Sequence, residues 1–129
     1  MATMEVTNND VGTVELSEPV YKRETLTATG AETWPKGAVL GRVTASGKLI
    51  RYTTGAADGS QVPKFVLQDA ITFAAAGDVK YDVIIGGQVR NRFLVDGAGA
   101  ALTPVALDTL RSYGVIAVDS EQLTELDNQ

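Results

Sequence analysis

Apolar residues are thin across residues 1–30 and gather from Trp34 onward into short runs parted by glycine. In the leader, Val14 and Leu16 alternate with Glu15 and Ser17, a weak strand signature. Pro19 cannot donate to a ladder, so a strand there lies at a sheet edge or breaks at that point. The threonine-rich stretch from Val20 to Thr29 suits an extended chain, and Gly30 closes the leader. Residues 1–12, with Asn8-Asn9-Asp10, are expected to be disordered. The pattern divides the chain into a flexible N-terminal arm (1–30), a β-rich head (31–118) and an acidic tail (119–129).

The head opens at Trp34-Pro35. Pro35 biases Trp34 toward an extended backbone, and this lone tryptophan reads as an apolar anchor, with a partner contact as the second reading. Val39 to Val43 reads as a strand, Thr44-Ala45-Ser46-Gly47 as a hairpin connection, and Lys48 to Tyr52 as the returning strand. Arg42 and Arg51 read as surface charges on this pair. Asp58-Gly59 signals a turn, Phe65-Val66-Leu67 a short buried strand, and Thr72 to Gly77 an irregular piece.

Val79, Tyr81, Val83 and Ile85 alternate along one face, Gly86-Gly87 follows as a two-residue turn, and Gln88 to Val95 returns. Thr103 and Pro104 fit the N-cap and first position of a helix. Ala106, Leu107, Leu110 and Tyr113 form its apolar face, Arg111 suits its C-terminal dipole, and Gly114 stops it. Val115 to Val118 is a final apolar strand, and Ser120 to Leu126 could add a marginal helical turn. The fold class expected is mainly β with one short C-terminal helix, an α+β arrangement without parallel βαβ winding.

Composition narrows the function. At 129 residues the chain makes one domain, burying roughly two thirds of its unfolded surface. No apolar run reaches membrane-spanning length, and the N-terminus lacks the pattern of a secretory signal. Cysteine and histidine are both absent, which removes disulfides, thiolate nucleophiles, imidazole bases and the usual zinc ligands. Residues 1–32 carry −4, residues 119–129 carry −4 and the stretch between carries +3. Acidic ends oppose phosphate, so nucleic acid is not expected as a partner; a basic surface would attract the arm.

Candidate chemistry is sparse. A Ser46–Lys48 pair falls in a hairpin turn, where polar residues are expected anyway. Carboxylate pairs would have to come from Asp69, Asp78 and Asp82. Asp58 and Asp96 lie in no cation-binding spacing, and Asp96-Gly97-Ala98-Gly99 lacks the full glycine fingerprint of a phosphate loop. The reading is of a protein that is not an enzyme, with no cofactor, metal, membrane or small-molecule substrate.

The run Trp34-Pro35-Lys36-Gly37-Ala38-Val39-Leu40-Gly41-Arg42-Val43-Thr44-Ala45-Ser46-Gly47-Lys48, then Tyr52, Asp58-Gly59-Ser60-Gln61 and Val79–Val95, resembles the head decoration (capsid-stabilising) proteins of lambda-like tailed bacteriophages. The resemblance covers roughly residues 25–118. It implies a small β-tulip-like head and a homotrimer. It further implies seating on the outer surface of the expanded head at three-fold and quasi-three-fold positions, against the major capsid protein. There the trimer stabilises the virion against the pressure of packaged DNA. The arm would contribute to capsid binding, with Val14, Leu16, Val20, Tyr21 and Trp34 as candidate contacts. A phage tail or baseplate β-module is the alternative, and a carboxylate-based enzyme or sugar-binding barrel a third reading.

Overall fold

The computed structural model describes residues 14–118. The expectations placed on residues 1–12 and on Ser120 to Leu126 lie outside the described residues. The strands are β1 (Glu15–Ala28), β2 (Glu32–Trp34), β3 (Val39–Arg42), β4 (Leu49–Arg51), β5 (Phe65–Val66), β6 (Ile71–Phe73), β7 (Gly77–Arg90) and β8 (Val115–Val118). A 3-10 turn at Asn91–Phe93 and one helix, α1 (Pro104–Ser112), precede β8. The mainly β fold with one short C-terminal helix is as expected from sequence.

The main sheet has 6 strands in the order β1-β4-β3-β5-β7-β8. Because β1 also pairs with β7, the sheet curls back on itself into a small barrel-like ring. The β3–β4 hairpin forms as expected, with Leu40 opposite Arg51 and Arg42 opposite Leu49. Gly47 closes it at φ 75, and Asp58 Oδ1 holds the next turn by accepting from Ser60 N at 3.0 Å and Ser60 Oγ at 2.6 Å.

Two expectations about the long strands need correction. First, residues 15–28 are not an arm: β1 is a 14-residue strand of the head, paired with β7 from Glu15 opposite Val89 to Ala28 opposite Gly77. The head therefore starts by Val14, whose carbonyl accepts from Arg90 N at 2.7 Å. Pro19 sits within β1 between the Ser17–Gln88 and Val20–Gly86 pairs, where the register shifts. Its missing N–H is accommodated by the irregularity.

Second, Gly86-Gly87 is no hairpin turn. β7 runs straight through it, and the segment after Arg90 leaves as a 3-10 turn. A tight primed turn needs positive φ early in the pair. Gly87 has φ 105, but Gly86 is not among the positive-φ glycines. The glycine's freedom serves a bulge against β1. Its consequence is a change of face: Val83 packs in one core and Val89, at the same parity along the strand, in the other.

Those two cores lie on opposite faces of β7. One gathers Leu26, Trp34, Leu40, Leu49, Leu67, Phe73 and Val83. The other gathers Val14, Val39, Val66, Ile84, Val89 and Val115 beneath Ala106 and Leu110 of α1. Trp34 joins the first through β2, which pairs with β6 with Trp34 opposite Ile71. Its ring lies 4.8 Å from that of Phe73. Part of the stretch expected to be irregular, Thr72-Phe73, is thus strand.

α1 starts as its sequence dictates, with Thr103 Oγ1 accepting from Ala106 N at 3.2 Å and Pro104 in the first turn. It ends at Gly114, φ 110. The helix carries the chain over to β8, which pairs parallel to β7 with Gly87 opposite Val115. With the single β1–β4 pair, Leu26 opposite Leu49, this makes two parallel pairings in an otherwise antiparallel sheet.

Candidate functional site

Most of the side chains considered for catalysis are occupied structurally. Ser46 Oγ accepts from Lys48 N at 3.3 Å within the turn, while Lys48 Nζ bonds Asp78 Oδ2 at 2.6 Å. That bond is the main reason the Asp78 carboxyl is held below its ordinary value. Asp58 is likewise lowered, first by the Ser60 hydroxyl and then by the Ser60 backbone N–H. Asp96 Oδ1 accepts from Ala98 N and Ala100 N, closing its own loop. Among the described residues no group of three or more metal-ligating His, Cys, Asp or Glu side chains comes together.

Arg42 and Arg51 are not simple surface charges. Arg42 makes a two-toothed contact with Glu24, at 2.9 and 3.2 Å, and donates to Gly47 O at 2.7 Å. Glu24 is only 10% exposed, and its pKa is lowered chiefly by the Arg42 hydrogen bonds, against the opposing effect of burial. The pair bolts β1 to the β3–β4 hairpin. Arg51 is half-buried and donates through Nη2 to Asp96 O at 2.5 Å. Burial lowers its pKa, opposed by the charges of Asp96 and Glu32.

One recess is a groove of about 430 Å³ walled by Tyr21 and Arg23 of β1, Gln68 and Asp69 of the loop after β5, and Tyr81 and Asp82 of β7. Arg23 Nε lies 3.3 Å from Asp82 Oδ1, both side chains more than half exposed, so this is a solvated ion pair of small energetic weight. The structure thus brings Asp69 and Asp82 to one groove but commits Asp82 to a cation, while Asp78 lies elsewhere on Lys48.

Beside this groove the surface turns apolar. Val20 is 51% exposed, Tyr21 41% and Tyr113, at the end of α1, 49%. A Cβ added at Gly86 would lie 3.6 Å from Val20 Cβ and 3.7 Å from Gly114 O. Val20 thus lies beside the approach of Gly86 to Gly114, and Lys64 Nζ sits 5.0 Å from the ring of the neighbouring Tyr113.

The family model described as bacteriophage lambda head decoration protein D matches residues 2–115. The chain belongs to that family. No curated protein and no solved structure matches it significantly. The match spans β1 through the first residue of β8, so the decoration family is assigned over nearly all of the described domain.

In a head decoration protein the relevant chemistry is that of a surface. Of the five candidate contacts, Val14 and Trp34 are packed inside the head, at 0% and 1% exposure. Leu16 falls in β1, its side chain outside the described part. Val20 and Tyr21 stand exposed side by side. Sequence reasoning missed their neighbours Tyr113, Gly86 and Gly114, because it placed Tyr113 on the helix's buried face and Gly86 in a turn. Only the pairing of β1, β7 and β8 brings these distant positions together.

Proposed function

We propose that this decoration protein binds the outer surface of the expanded phage head as a homotrimer, at three-fold and quasi-three-fold positions of the major capsid protein, and cements the shell against internal pressure. The observation that carries the reading is the family match over residues 2–115. The geometry supports it: Val20 and Tyr21 are exposed apolar residues on a strand held rigidly to β7, close to where the chain enters the head. Residues before Val14 act as the capsid-binding arm, and the Val20–Tyr21 face makes the adjoining contact. Three arms on one trimer make the second and third engagements local events, and weak single contacts then hold firmly.

The test is binding to matured empty shells. The full chain is expected to run at trimer mass in solution, to co-sediment with expanded shells, and to raise their resistance to heat or chelation. A monomer that stays in the supernatant would overturn the proposal, as would labelled protein found at the tail instead of the head.

A further inference from the structure

We infer that the acidic C-terminal segment, residues 119–129, docks on its own head at a basic collar around Phe93. The collar is two cations on one ring: Lys36 Nζ and Arg92 Cζ each lie 4.8 Å from the Phe93 ring centroid. Lys36 and Arg92 are both exposed residues. The backbone that carries them is fixed. Gly37 O accepts from Val95 N at 3.2 Å, and a Cβ at Gly37 would collide with the Phe93 carbonyl. Two like charges held at one ring raise the local potential, and an anion seated between them relieves it.

Where the chain leaves the head decides the occupant. β8 ends at Val118, which lies opposite Arg90. Arg90 is the last residue of β7, and Arg92 and Phe93 follow it in the 3-10 turn. Residues 119–129 therefore start beside the collar and need only a short span to reach it. They hold Asp119, Glu121, Glu125 and Asp127 with no base. In an extended chain these alternate positions share one side, so several carboxylates can meet the two cations together. Residues 1–13 enter at the same end, where Val14 O accepts from Arg90 N, but their only acids are Glu5 and Asp10. The tail is the better match in charge. The family match stops at residue 115, so the docking belongs to this chain's extension beyond it and does not depend on shell binding.

The absence of cysteine makes the test direct, because Asn128→Cys gives a single site for a nitroxide label. In the ¹⁵N-labelled full chain at low salt, the label is expected to broaden the amide signals of Lys36, Gly37, Arg92 and Phe93 above those of other residues around Val118. Salt at about 1 M is expected to even out that pattern. Asp119→Asn, Glu121→Gln, Glu125→Gln and Asp127→Asn together should do the same at low salt. Lys36→Gln with Arg92→Gln removes two exposed charges and should lower the docked-to-free ratio of the tail roughly fivefold, read from the broadening. Broadening spread evenly around Val118 from the start would overturn the inference, and so would a collar pattern that survives salt and neutralisation. Spin-labelled ¹⁴N chains refolded together with unlabelled ¹⁵N chains should leave the collar signals sharp; broadening there would give the tail to a neighbouring copy and overturn docking on its own head.

Discussion

At the scale of single residues, the stability of this head depends on a few positions where backbone or charge leaves no freedom. Gly37 adopts φ 84, and a Cβ there would lie 2.0 Å from the carbonyl oxygen of Phe93. The turn after Trp34-Pro35 is thus pressed onto the 3-10 segment with no room for a side chain. Gly37→Ala is expected to destabilise by more than about 2 kcal/mol, combining left-handed strain with overpacking, read as a fall in the urea midpoint. Trp34 belongs to the same framework. Trp34→Ala should cost about 3–5 kcal/mol as a core truncation, while shell binding per folded molecule, measured below its melting point, stays close to that of the parent. Loss of binding without loss of stability would return Trp34 to the role of a surface contact. Glu24 sets an acid limit. Its folded pKa lies below the ordinary 4.5, so its contribution is complete above that value and lost as pH falls through the folded value. Thermal melts should therefore drop more steeply below about pH 4.5 for the parent than for Glu24→Gln. At pH 7 the substitution is expected to cost about 1–2 kcal/mol, the scale of a partly screened charged hydrogen bond.

At the scale of elements, the boundary of the arm is the decisive change. β1 lies along β7 for its full length, and its first described neighbour, Val14, is buried in the core beneath α1. Two truncations should therefore behave differently. Removing residues 1–13 is expected to leave the melting temperature within a few degrees and to weaken shell binding. Removing residues 1–20 takes out the start of β1 and Val14, and should unfold or aggregate the head; circular dichroism and gel filtration distinguish the two. Equal stability of both would mean that the N-terminal half of β1 contributes no folding energy. The elements read correctly from sequence are those whose signals are local. Thr103-Pro104 and Gly114 bracket α1, and Gly47 closes the β3–β4 hairpin, because caps and turns act within a few residues. β1 and β7 were misread because their pairing joins residues far apart in the chain, from Glu15 opposite Val89 to Ala28 opposite Gly77. Gly86-Gly87 carries the vocabulary of a turn, yet a continuous partner strand converts it into a bulge. Pro19 points the same way: it is tolerated inside a strand because the ladder is already irregular there. Of the candidate contacts, Val20 and Tyr21 were visible as apolar residues in a polar stretch. Tyr113 was not, since helical spacing alone cannot tell that the last turn overhangs the core.

At the scale of the whole molecule, a head decoration protein works through its surface. The exposed apolar residues Val20, Tyr21 and Tyr113 stand on elements that the sheet holds rigid, so docking there orders little that is not ordered already. Val20→Asp replaces an exposed side chain and should leave the melting temperature nearly unchanged. At an interface with the shell it would place an unpaired carboxylate in an apolar contact, a loss of about 1–3 kcal/mol per site. If three copies engage together, the losses add along one rigid body, giving about 3–9 kcal/mol and roughly a hundredfold or greater weakening in apparent affinity. A monomeric attachment would show only the single-site loss. Co-sedimentation of Val20→Asp with expanded shells over a range of protein concentrations therefore reads both the surface and the symmetry. A weakening beyond the single-site range supports a trimer seated on this face, a smaller one supports this face without the trimer, and parental binding would move the shell contact to another part of the head.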